Sequence, residues 1–124
     1  MTRRAALVVL LLLLVGCAAP VPQPVAAYQS RNLGVHVNGR IVLGSVQLRT
    51  VAGVRQVDGV GICVADQDGA PLDFPRGDGQ LTPAWFTVSS TRSFPPGDYI
   101  ARPCVFVGDV DQPVDGVTVP FTVM

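Results

Sequence analysis

"VTVPFTV", residues Val117–Val123, interleaves three valines and a phenylalanine with threonine and proline. A period of two puts Val117, Val119, Phe121 and Val123 on one face of an extended strand, and Thr118, Pro120 and Thr122 on the other. One apolar and one polar face is what a strand needs to cover a core while its back meets water. Pro120 cannot donate a ladder hydrogen bond, so this strand belongs at a sheet edge.

The same period recurs upstream. Val35 and Val37 flank His36, Asn38-Gly39 is a strong hairpin signal, and Ile41–Leu43 leads back. Val46 and Leu48 alternate with Gln47 and Arg49, Val60–Ala65 is a short apolar run containing Cys63, and Ala84–Ser90 is rich in strand formers. Pro95–Tyr99, "PPGDY", turns the chain into Ile100–Val107. Asp66–Gln80 reads as turn chemistry almost throughout, and Gly108–Gly116 as a second acidic loop. The chain has no lysine and no glutamate, the commonest exposed helix formers. About seven strands between Gly, Pro and Asp turns predict an all-β fold, a single small antiparallel β-sandwich.

The N-terminus follows a different logic. Arg3 and Arg4 precede an uninterrupted apolar run, Ala5–Val15, closed by Gly16 and Cys17. A membrane-spanning helix needs about 20 apolar residues, whereas this run fits the core of a signal peptide. Leu14-Val15-Gly16-Cys17 resembles the lipobox of bacterial lipoproteins. That resemblance covers the first 17 residues. It implies cleavage between Gly16 and Cys17 and lipidation of the Cys17 thiol, with palmitate-type acylation of the new amine. Two or more acyl chains hold a protein to a bilayer where one does so only marginally. An ordinary signal peptide with a chance cysteine and an uncleaved anchor remain open as alternatives. Thr2-Arg3-Arg4 lacks the tail of a twin-arginine signal. Ala18 stands where family members kept at an inner membrane carry Asp, which favours the outer membrane in a host with two.

The chain thus divides into a signal peptide at 1–16, a lipidated Cys17 with a Pro-rich tether at 17–30, and a β-sandwich at 31–124. Three prolines and no charge in Ala18–Ser30 suit an extended spacer. After cleavage seven arginines face nine aspartates, a net charge of about −2. No basic balance invites nucleic acid, and membrane contact is expected through the covalent lipid. Export implies an oxidising compartment. With Cys17 lipidated, the remaining arithmetic pairs Cys63 with Cys104 as a disulfide, two free thiols or a redox pair being the alternatives.

Residues 94–123, "FPPGDYIARPCVF…VTVPFTV", resemble the last strands of immunoglobulin-like and fibronectin type III-like domains. There a Pro-Gly turn precedes a strand opening with a tyrosine whose hydroxyl ties back to the loop, and the resemblance gives that part to Tyr99. Pro103 departs from it. A proline inside a central strand requires a bulge or a different topology in which this strand is an edge.

Few residues suggest chemistry. His36 is the only histidine and falls on the polar side of its strand, with no nucleophile patterned around it. Asp66 and Asp68 open a sequence like a calcium loop, and Asp109 and Asp111 form a second acidic cluster. If both loops lie at one end of the sandwich, calcium fits between them, although the closing glutamate of an EF-hand is absent. Arg76-Gly77-Asp78 matches the tripeptide of integrin-binding proteins and is expected in an exposed loop. Trp85 and Phe86 point to opposite faces. Phe86, in phase with Val88, is assigned to the core, and Trp85 either to a binding surface or to packing on the disulfide. No zinc site, cofactor or catalytic group is expected.

Together these features predict a lipid-anchored cell-envelope protein that binds or scaffolds another envelope or exported protein, in assembly, adhesion or an accessory role. An inhibitor or chaperone-like binder of an exported protein is the alternative, and a hydrolase the weakest reading.

Overall fold

A computed structural model describes residues 26–124 of the chain. Gly16, Cys17 and most of the tether lie outside the described residues. Ten strands follow in order: β1 Tyr28–Asn38, β2 Ile41–Thr50, β3 Arg55–Asp66, β4 Pro71–Leu72, β5 Gly77–Leu81, β6 Phe86–Ser93, β7 Gly97–Val107, β8 Val110–Asp111, β9 Val114–Asp115 and β10 Val119–Val123. Seven have five residues or more; β4, β8 and β9 are two-residue pairings. They form two sheets, β6-β2-β1-β9 and β10-β7-β3-β4, with β5 beside β3 and β8 beside β7. The described residues therefore form an all-β sandwich.

The period-two reading fixes which side chains enter the core. Val42, Val46 and Leu48 of β2 meet Val60, Ile62 and Val64 of β3 and Ala101 and Val105 of β7, all buried. Phe74 and Phe94, both outside the strands, add rings at one end of this layer. Phe94 lies 5.5 Å from Phe74, 5.3 Å from Tyr99 and 6.1 Å from Phe121, centroid to centroid. The Tyr99 hydroxyl donates to the Pro95 carbonyl at 2.5 Å, tying β7 to the turn before it.

β1 begins at Tyr28, so the last residues of the expected tether are strand. Its phase changes once. Asn32 and Leu33 together oppose a single β2 residue, and Asn32 takes φ 57°, a left-handed conformation asparagine tolerates. This bulge sets Leu33, Val35 and Val37 inward. The β1–β2 turn falls one residue later than expected: Asn38 pairs with Ile41, and Gly39, with φ 62°, shares the turn with Arg40.

Two further expectations change. β10 is an edge strand, as Pro120 requires, but it starts at Val119, leaving Val117 largely exposed. The stretch 66–80 is not all turn, for Gly77–Leu81 pairs with β3.

Pro103 sits within a strand paired on both sides, with neither a bulge nor an edge topology. β7 and β3 run in unbroken register from Gly59↔Phe106 to Asp66↔Tyr99. On the other side β10 ends at Ala101 and β8 begins at Phe106. The Val105 carbonyl accepts from the Gln112 amide on that side. Backbone groups two residues apart point the same way, so the Pro103 nitrogen faces the gap between β10 and β8. The residue that cannot donate stands where no strand asks it to.

Candidate functional site

The outer face of the six-stranded sheet is built on small residues. Gly59, Gly61, Cys63 and Ala65 of β3 stand opposite Phe106, Cys104, Arg102 and Ile100 of β7. Cys63 and Cys104, a diagonal pair on this face, form a disulfide with Cα atoms 5.8 Å apart. A β-carbon on Gly59 would meet Phe106 at 3.5 Å, an ordinary contact, so the Phe106 side chain lies close over this backbone. Arg76 crosses above, its guanidinium 4.3 Å from the Phe106 centroid and its Nη1 3.8 Å from Cys63 Sγ.

Beside this pair the β3–β5 connection leaves a groove of about 740 Å³. Its floor is apolar: the disulfide, Ala65, Leu72, Ile100 and Phe106. Arg76 and Arg102 supply polar edges, together with Asp66, Gln67 and Asp73. Arg102 is committed to Asp111, Nη2 to Oδ2 at 2.5 Å, the single ion pair among the described residues.

The outer face of the four-stranded sheet differs in kind. Side chains stand in cross-strand rows: Gln29 and Arg49, then Arg31, Gln47 and Thr87, then Ser45 and Ser89. Arg31 Nε and Asn32 Nδ2 both donate to Gln47 Oε1, at 2.7 and 3.0 Å, and Gln47 Nε2 donates to Thr87 Oγ1. Arg49 donates twice to Gln29 Oε1, at 3.0 and 2.9 Å. Trp85 lies among them, with the guanidinium carbons of Arg31 and Arg49 each 4.3 Å from its ring centroid. Cation–π contact of this sort orients the arginines without neutralising them.

The residues singled out in the sequence fall as follows. Trp85 belongs to this arginine cluster, and it is Arg76 that covers the disulfide. Phe86 is not core: it opens β6, an edge strand, and is 45% exposed. Gly77 and Asp78 are strand residues and Arg76 is stacked, so the tripeptide is not a free loop. Asp66 caps its own turn, Oδ1 accepting from the Asp68 and Ala70 amides at 2.9 Å. Asp66 pairs with Tyr99 near the start of β7, whereas Asp109 and Asp111 follow its end, so the two acidic loops lie at opposite ends of the sandwich. The shared calcium site loses its geometric basis, and no group of three or more His, Cys, Asp or Glu among the described residues is placed to hold a metal. His36 is exposed on β1. Arg31, Arg49 and Gln47 were not singled out from sequence; their signal was the polar half of the same alternation that located the core.

No family model, curated protein or solved structure matches the chain. No helix among the described residues is long and apolar enough to cross a membrane.

Proposed function

We propose that the chain is a lipid-anchored cell-envelope protein whose β-sandwich binds or scaffolds another envelope or exported protein. The observation that carries the binding half is the groove beside the disulfide, an apolar floor with a mixed polar rim of arginine, aspartate and glutamine, a composition suited to holding a partner. The anchoring half rests on Leu14-Val15-Gly16-Cys17. The Cys63–Cys104 disulfide favours the oxidising compartment to which such a leader delivers.

The immunoglobulin-like reading has support in strand order. The first, second and sixth strands share one sheet and the third, seventh and tenth the other, as A, B, E and C, F, G do in that fold, with β5 added beside β3. Tyr99 bonded to Pro95 agrees with the tyrosine of that family's corner. Two features depart from it. The disulfide links neighbouring strands of one sheet rather than crossing between sheets, and the tryptophan precedes β6 rather than lying in the third strand.

Intact mass of protein purified from its native membrane tests the anchor. A mass of residues 17–124 plus acyl chains is expected, and an unacylated chain overturns it. A photo-crosslinker at Ile100, in the groove, should trap an envelope protein that the same probe at exposed His36 does not. Equal trapping at both positions removes the groove from the proposal. The chaperone-like reading draws on β6, whose outer edge is unpaired and begins with exposed Phe86.

A further inference from the structure

The end of the sandwich where the chain enters carries an apolar loop ringed by arginines. The Val51 amide donates to the Ala27 carbonyl at 2.9 Å, which fixes the β2–β3 loop against the incoming chain. That loop, Val51-Ala52-Gly53-Val54, turns at Gly53 with φ 74°, and the Thr50 hydroxyl donates to the Gly53 carbonyl at 2.6 Å. The turn is therefore held in place, yet it presents Val51 and Val54 to solvent, 45% and 62% exposed. Arg49 precedes the loop and Arg55 follows it, with Arg31 and Trp85 alongside. No carboxylate lies within ion-pair distance of these three arginines among the described residues. Of the aspartates at this end, Asp115 on β9 stands beside Gln29 in the same sheet, exposed and in no ion pair among the described residues, and the others sit on the other sheet. Asp58 accepts from the Gly108 amide, Asp111 is paired with Arg102, and Asp109 occupies the β7–β8 turn.

We propose that this end docks on the headgroup layer of an anionic bilayer, with Val51 and Val54 dipping below the phosphates and Arg31, Arg49 and Arg55 meeting them. The inference rests on the lipid-anchor reading, which places Cys17 ten residues before Ala27. Ten residues reach at most about 35 Å, so the chain delivers this end to the membrane and not the opposite one. Charge complementarity selects the occupant, since unpaired guanidiniums beside an apolar tip suit lipid phosphates. An indole at such a boundary has its preferred surroundings. Net charge conceals the arrangement, because three of the seven arginines beyond the leader gather here while the aspartates spread over both ends.

Trp85 is the only tryptophan, so its fluorescence reports this end directly. The full chain purified from membrane, its acylation read by mass, is placed in vesicles of phosphatidylethanolamine and phosphatidylglycerol. Nitroxide on the lipid headgroups should quench Trp85, and acrylamide should quench it less than in detergent. Val54→Asp and Arg55→Gln, checked for an unchanged melting temperature, should each reduce the docked-to-undocked ratio, by about fivefold for the arginine. An acylated chain whose Trp85 stays open to acrylamide and untouched by headgroup nitroxide overturns docking and leaves the anchor standing. An unacylated mass overturns the anchor. Docking then stands if the same vesicles still shield Trp85 and falls if they do not, including the case where only an added protein shields it.

Discussion

The two outer faces of this sandwich obey one backbone rule and reach opposite solutions. On the six-stranded sheet, β3 offers glycine and alanine, and the space they leave is filled by a disulfide, a phenylalanine and an arginine laid flat. On the four-stranded sheet, long polar side chains stand in rows and hydrogen-bond across the strands. One face is held by a covalent link and packing, and the other by exposed or half-buried polar contacts that compete with water. Cross-links and buried contacts contribute kilocalories, whereas exposed pairs contribute tenths. The first face should therefore govern stability, and the second should be free to serve recognition.

That contrast can be broken most sharply at the disulfide. Closing a loop of 41 residues is worth about 4 kcal/mol in the chain-entropy model. Denaturant unfolding with and without reductant, or of Cys63→Ser with Cys104→Ser, should show a loss of that size. A loss below about 1 kcal/mol would mean the face is held by packing alone. Arg76→Ala should cost about 1 kcal/mol by removing the stack on Phe106, and should speed reduction of the disulfide it covers. Unchanged thiol release would show that Arg76 shields nothing.

The polar face should respond less. Gln47→Ala removes acceptors for Arg31 and Asn32 and a donor to Thr87, yet all three bonds are exposed, so a change of about 0.5 kcal/mol is expected. Trp85 emission should shift all the same, since Arg31 loses its tether. Asp111→Asn should do least. Both partners of its ion pair are over 40% exposed, and an effect of about 0–1 kcal/mol, shrinking with added salt, is expected.

The alternation in Val117–Val123 and its relatives upstream located most of the core, because burial on a strand follows directly from period two. It misplaced side chains where tertiary context overrides the period. Val117 lies before its strand starts, and Phe86 is in phase with Val88 but overhangs an edge. β5 was hidden because Gly-Asp-Gly-Gln is turn composition, and it is recruited as strand only by pairing with β3. The arginine cluster was illegible for another reason. Arg31, Arg49 and Trp85 are far apart in sequence, and their meeting depends on the register of three strands.

The first strand also determines how the domain answers force. Tyr28–Asn38 is bonded to β2 along nearly its whole length and to β9 in parallel at its start. A pull on the chain at Ala27 runs along the strand axis, perpendicular to those hydrogen bonds. The ladder is then loaded in shear, many bonds at once, rather than peeled open one rung at a time. A domain tugged from this end resists as a unit.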